Sequence, residues 1–240
     1  MGVKTVKLSC IWEHNGDDTL LYVRELPGAY ARGKNLEAAA GKLPSEVRSW
    51  RKWAGLATEE YEGYELSLEQ VSKLNIRDAD SDVIFPEEGE LLTAEEYEMW
   101  KKLVLRSAED FQRLYDLLPN QNATDLPERK TFYGPTPRTL REMYQHTKNV
   151  NEYYFWEIGV DTDNEGTILE CRIRGFEELE KIPGFLEMGA REGSYGEMWS
   201  LRKLLRRFLW HDRIHAKAMY RMAVRLWGPE KIENIFQFQD

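Results

Sequence analysis

The chain has 240 residues, enough for one large domain or two modest ones. Its 42% hydrophobic and 12% aromatic content excludes a disordered chain, and its net charge of −9 argues against sequence-independent binding of nucleic acid by the whole molecule. Two cysteines, Cys10 and Cys171, exclude a disulfide framework and a cysteine-rich zinc site. No charged-then-apolar leader opens the chain and no apolar run approaches about 18 residues, so the expectation is a cytoplasmic protein with no membrane partner.

Val3–Trp12 alternates apolar and polar residues as a half-buried strand does. Asn15-Gly16-Asp17-Asp18 is a turn signal, and Thr19–Arg24 reads as a second strand. Asn35 is placed to cap a helix over Leu36–Trp53, and Tyr61–Leu68 reads as a further strand. The order predicts an α+β unit of ββαβ form over residues 1–85. His14, beside the polar turn, is expected at the surface.

Within this unit a strand runs into Leu26-Pro27-Gly28, followed by Ala31-Arg32-Gly33 and by Leu36-Glu37-Ala38-Ala39 at the opening of the helix. Pro27 fixes the strand exit, and Gly28 and Gly33 permit turn geometry closed to other residues. These residues resemble the HicB-like family of small antitoxin-type domains. The resemblance covers about 60 residues and implies a module that recognises a partner. The chain departs from full-length antitoxins in continuing into a long helical region instead of a short DNA-binding tail.

From Thr58 to Glu98, fourteen carboxylates stand against two bases, Lys73 and Arg77. Pairs such as Glu59-Glu60 and Glu87-Glu88 read as a solvated surface or linker, one that partly neutralises the basic face of the last helix. Pro86 and Gly89 mark the domain boundary.

Residues 93–240 read as helical. Thr93 with Glu96 forms a capping box for a helix ending near Leu118. Asn120–Pro137 is a loop broken by Pro127, Gly134, Pro135 and Pro137. A second helix, from near Arg138 to about Gly159, places Leu140, Met143, His146, Val150 and Tyr153 at steps of three or four. A third is expected from Phe176 to Met188, which leaves 159–175 as a long polar loop. Glu197–Trp227 has neither Pro nor Gly. Its apolar positions (Leu201, Leu204, Leu205, Phe208, Ala218, Met219, Met222, Leu226) repeat with the helical period. Its other face is basic, with Arg202, Lys203, Arg206, Arg207, Arg213, Lys217, Arg221 and Arg225. Four helices with long connections predict an all-α four-helix bundle.

His211 and His215 lie on that apolar stripe one turn apart, where side chains at i and i+4 stack on one face. His146 is a third histidine on a core-facing stripe. A buried imidazole costs a few kcal/mol unless its nitrogens find partners. A backbone carbonyl serves one; a metal ion shared between facing helices serves all three. Tyr144, Asn149, Trp210 and Asp212 flank these positions as candidates for an orienting hydrogen bond. Arg206, Arg207 and Arg213 either anchor a carboxylate or phosphate or form a solvated face. His211-Asp212 is also an HD pair of the metal-dependent phosphohydrolase kind, but the further aspartate that site needs has only Asp240 to supply it.

The segments RTLREMYQH (138–146) and LRKLLRRFLWHDRIH (201–215) resemble the DinB-like (YfiT-like) superfamily, in which one histidine of the second helix and a His-x-x-x-His on the last share a bundle. The likeness covers about 145 residues. His146, His211 and His215 fall at the three ligand positions of that family, which implies a divalent transition metal, nickel or zinc foremost. It further implies a metal-dependent transferase, of thiol type, or a hydrolase, acting on a small-molecule substrate, with a low-molecular-weight thiol as its reactant. Three nitrogen ligands leave a fourth position open, as in catalytic zinc sites. Pairing of the bundles implies a homodimer, for which Trp156, Trp199, Trp210 and Trp227 are the candidate exposed aromatics. The competing expectation is a non-catalytic binding or regulatory protein, in which the HicB-like unit recognises a partner and the histidines only stabilise the bundle.

Overall fold

In the computed structural model, residues 5–57, 59–78, 80–131 and 134–239 are described. Val3 of the first strand, Thr58 of the acidic strip and Asp240 of the HD reading lie outside them. The described residues fall into two compact units, Met1–Pro86 with Phe236–Asp240 and Glu87–Ile235. The C-terminal end of the chain therefore belongs with the first unit, whereas the 93–240 span assigned it to the helices.

The first unit is an α+β layer. Its strands are β1 (Thr5–His14), β2 (Thr19–Val23) and β3 (Tyr30–Gly33); helices α1 (Leu36–Ala40) and α2 (Leu43–Trp53) follow, then β4 (Glu60–Val71). The sheet order is β3-β2-β1-β4, with β1 and β4 parallel and the other pairs antiparallel. Two features differ from the ββαβ expectation. A further strand, Tyr30–Gly33, precedes the helix, and of the two glycines read as turn-forming only Gly28 has positive φ, at +84°, where the Val23 N–H donates to Ala29 O at 3.1 Å. The expected single helix breaks at Gly41, since Pro44 in the first turn of α2 has no N–H with which to continue α1. Gly33 is fixed by close approach, because a Cβ there would lie 2.7 Å from the Ala39 nitrogen. Cys10, Ile11, Leu20, Leu21 and Leu43 are fully buried, and Trp53 stacks on Phe236 with centroids 5.7 Å apart.

The acidic strip is not a linker. Its first part is β4, where Glu65 pairs with Lys7 at 2.7 Å, and farther on Glu88 is buried. His14 is half-buried, stacked on Trp12 at 4.1 Å with Nε2 3.1 Å from Glu69 Oε1.

The second unit carries α3 (Ala94–Asp116), the short hairpin β5 (Lys130–Thr131) and β6 (Gly134–Pro135), then α4 (Leu140–Glu157) and α5 (Ile168–Glu180). A second hairpin, β7 (Arg191–Glu192) with β8 (Met198–Trp199), precedes α6 (Leu201–Trp227). α3 packs on α5 and α6, and α4 packs on α5 and α6. α5 starts well before Phe176, so the expected polar loop is half helix. Its start carries a capping box, Thr167 with Glu170, of the same form as Thr93–Glu96 on α3. α6 begins later than Glu197, at the Ser200 N-cap, because Met198–Trp199 pair as a strand. Among the described residues no helix is long and apolar enough to cross a membrane.

The basic face of α6 is not a solvated one in its first half. Lys203, Arg206, Arg207 and Arg213 are all buried. Arg206 Nη2 lies 3.0 Å from Glu88 Oε2, and Arg202 Nη2 lies 3.0 Å from Glu96 Oε2, so carboxylates of the acidic strip neutralise this face by direct pairing. Ala218, placed on the apolar stripe by spacing, is exposed. Trp199 and Trp210 are core residues, which leaves Trp156 as the exposed tryptophan of the four that sequence offered to a dimer interface.

Candidate metal centre

Two well-anchored helices present the histidines. α4 starts at a reciprocal capping box in which the Thr139 side chain accepts from the Glu142 N–H and Glu142 accepts from the Thr139 N–H. His146 sits two turns farther on. α6 starts at Ser200, whose hydroxyl accepts from the Lys203 N–H at 3.1 Å, and it holds His211 and His215 near its midpoint. Since α4 and α6 pack together, the three rings meet.

Ring centroids are 4.4 Å apart for His211–His215, 4.7 Å for His146–His215 and 5.1 Å for His146–His211. One nitrogen of each ring lies within 4.8 Å of the others. A tetrahedral ion with bonds of about 2.0–2.1 Å holds its nitrogens about 3.3 Å apart, so modest side-chain rotation closes the triangle. His211 is buried, His215 half-buried and His146 exposed. The stripe drawn through Leu140, Met143, His146, Val150 and Tyr153 is thus rotated from the true core face of α4, which runs through Met143, Thr147, Asn151, Tyr154 and Phe155. His146 stands at the edge of that face and opens the site to solvent.

Among the described residues, His211 Nδ1 is buried without a hydrogen-bond partner. A buried polar atom of this kind costs about 1–3 kcal/mol until a donor, water or ion meets it. Loss of hydration lowers the pKa of all three imidazoles. His215 falls to about 3, and His211 falls well below its ordinary value, aided by the neighbouring rings and by the Arg207 and Arg172 charges. Neutral imidazole is the form that binds metal.

The flanking residues have other roles. Tyr144 donates to Gln112 Oε1 and accepts from the Ile168 N–H at 3.1 Å, which ties α4 to α3 and α5. Asp212 is fully buried and pairs with Arg172 at 3.3 Å, so it is a counter-ion within the core and not the second half of an HD metal pair. Asn149 is exposed, and the Trp210 ring lies 6.5 Å from that of His211. Sequence reasoning missed Tyr154, whose ring meets His211 edge-on at 5.9 Å. It also missed an open pocket of about 850 Å³ that His146 lines, whose other walls come from residues 128–130 and 135–138 and from the first turns of α4. The polar loop signals in 120–137 marked that segment as surface, but its side chains meet α4 only through the fold.

No protein-family model, no curated protein and no solved structure matches the chain.

Proposed function

We propose that this protein is a divalent-metal-binding protein of DinB-like four-helix-bundle type, with an ion held by His146, His211 and His215, and that it acts as a metal-dependent thiol transferase or hydrolase on a small molecule. The observation that carries the reading is the cluster of three imidazoles, one nitrogen of each within 4.8 Å of the others, in which His211 keeps a buried Nδ1 with no hydrogen-bond partner among the described residues. Imidazole donors suit zinc and nickel. An ion bound there supplies a Lewis acid with a position left for water or a thiol.

The surrounding residues favour negative charge at that position. Arg172 and Arg207 act on His211 electrostatically, and neither lies among the candidate ligands. With Arg172 paired to Asp212, the Arg207 charge would favour an anionic occupant beside the ion that the three histidines would hold. The exposed edge of His146 gives a small molecule access to the ion. The regulatory alternative needs imidazoles satisfied by the backbone in a closed core. The orphaned His211 nitrogen and the pocket beside His146 favour the catalytic reading over it.

Elemental analysis of the purified protein beside His211→Ala and His215→Ala tests the proposal. About one transition-metal ion per chain in the wild type, absent from both variants, is the expected result. Wild type that stays metal-free after incubation with nickel, zinc or manganese would overturn it.

A further inference from the structure

We infer that the pocket beside His146 is a subsite for an anionic group, carboxylate or phosphate, with Lys130 and Arg141 as its recognition residues; the inference deepens the metal-site reading by naming the substrate class. Arg206, Arg207 and Arg213, which the sequence offered either as such an anchor or as a solvated face, are buried within the fold. The exposed cations near the site lie elsewhere. The pocket is lined by Arg129, Lys130, Arg138 and Arg141 against two carboxylates, Glu128 and Glu142, in a chain whose net charge is −9.

Pairing within the pocket separates the cations that hold the wall from those left to bind. Arg138 Nη1 is 2.9 Å from Glu128 Oε1 and its Nε donates to Leu126 O at 3.2 Å, so it braces the loop. Glu142 accepts the N–H groups of Arg138 and Thr139 at 2.7 and 3.0 Å, which occupies both the carboxylate and the start of α4. Lys130 and Arg141 are exposed and make no ion pair among the described residues. They approach from two elements, β5 and α4, onto one cavity that His146 also lines. An anionic group held by the Arg141 guanidinium and the Lys130 ammonium sits beside the candidate metal position, and charge-assisted bonds to both cations orient the rest of the molecule toward it.

The test titrates inorganic phosphate and, separately, succinate into metal-free and metal-loaded protein at low ionic strength, followed by calorimetry or by backbone chemical shifts. Wild type is compared with Lys130→Ala, Arg141→Ala and the double variant, and metal content is measured in the same samples. Saturable binding of either anion, weakened about tenfold or more in the double variant and reduced by added salt, is expected. Preference for phosphate or for succinate then identifies which anion the subsite takes. Absence of saturable binding, or binding unchanged in the double variant, would overturn the inference. Anion binding by a protein that never takes up metal would leave the subsite standing and overturn the metal reading alone; a metal-loaded protein indifferent to both anions would do the reverse.

Discussion

His211 and His215 stand one helical turn apart on α6 with their ring centroids 4.4 Å apart, and among the described residues the buried His211 Nδ1 has no hydrogen-bond partner. His146 faces them from α4 but is exposed, so its truncation leaves the fold almost untouched while removing one donor. In a thermal melt, zinc or nickel at about a hundredfold excess over Kd stabilises wild type by about 2.7 kcal/mol relative to chelator-treated protein. His146→Ala retains the metal-free melting point, within about 0.5 kcal/mol, and loses most of the metal-induced shift. A full shift in His146→Ala would remove His146 from the site.

The metal-free protein also carries a pH dependence with a definite sign. His215 is lowered to about 3 and His211 well below its ordinary value, chiefly by burial. Between an unfolded-state pKa of about 6.5 and the lowered native values, the unfolded chain binds more protons than the folded one. The histidine contribution is therefore complete above about pH 6.5 and falls as pH drops below it. Glu96, Glu142 and Glu170 are held under the usual carboxylate range by the backbone N–H groups of Thr93, Thr139 and Thr167, so their contribution is lost at lower pH still. Denaturant midpoints between about pH 7 and 5 stay below the range of Lys203, which burial lowers to about 8, and report on the histidines. The double variant His211→Leu/His215→Leu flattens the slope. It also matches or exceeds wild type in metal-free stability, since leucine leaves no orphaned nitrogen. An equal slope in the double variant would place the proton uptake elsewhere.

Much of the second unit was legible because helix starts are local chemistry. Thr93 and Glu96 announce α3 through a bond pattern that needs no distant residue. Thr167 and Glu170 spell the same signal for α5, but the polar run before them masked it. The candidate ligands were legible for a similar reason: a turn of helix brings His211 and His215 onto one face whatever surrounds them. What surrounds them was not legible. Arg206 and Arg207 read as solvated because charge on a helix usually is. Only the tertiary fold supplies Glu88 to one and the rings of Tyr154, Trp199 and Trp210 to the other. The third strand, β3, escaped because four residues are too few to show a period of two.

The Arg172–Asp212 pair separates a structural aspartate from a ligand. Both side chains are fully buried at 3.3 Å, and the Arg172 guanidinium also lies over the Phe208 ring, 3.5 Å from its centroid. Removing one partner of a buried pair leaves the other charge without compensation, which costs about 3–5 kcal/mol. Asp212→Ala is expected to lose stability on that scale while retaining wild-type metal stoichiometry in whatever fraction folds. Asp212→Asn, which keeps the shape and a hydrogen-bond acceptor, loses less. Loss of metal from folded Asp212→Asn would make Asp212 part of the centre after all.

Gly175 decides how closely α5 approaches α4. A Cβ built there would meet the Phe155 ring at 2.0 Å, and Phe155 is itself fully buried against Phe176 and Phe208, with ring centroids 5.5 and 5.4 Å away. In an exposed helix, glycine to alanine gains up to about 1 kcal/mol from propensity. Here the ring has nowhere to turn, and overpacking of a filled core costs about 1–3 kcal/mol. Gly175→Ala therefore destabilises the protein, against the direction that helix propensity alone predicts. Because Phe155 and His146 share α4, pushing that helix outward also widens the histidine triangle. A denaturant melt and a zinc titration of Gly175→Ala check the two effects together: lower stability with weaker zinc binding is the expected pair, and a stabilised variant would show that α4 and α5 separate freely.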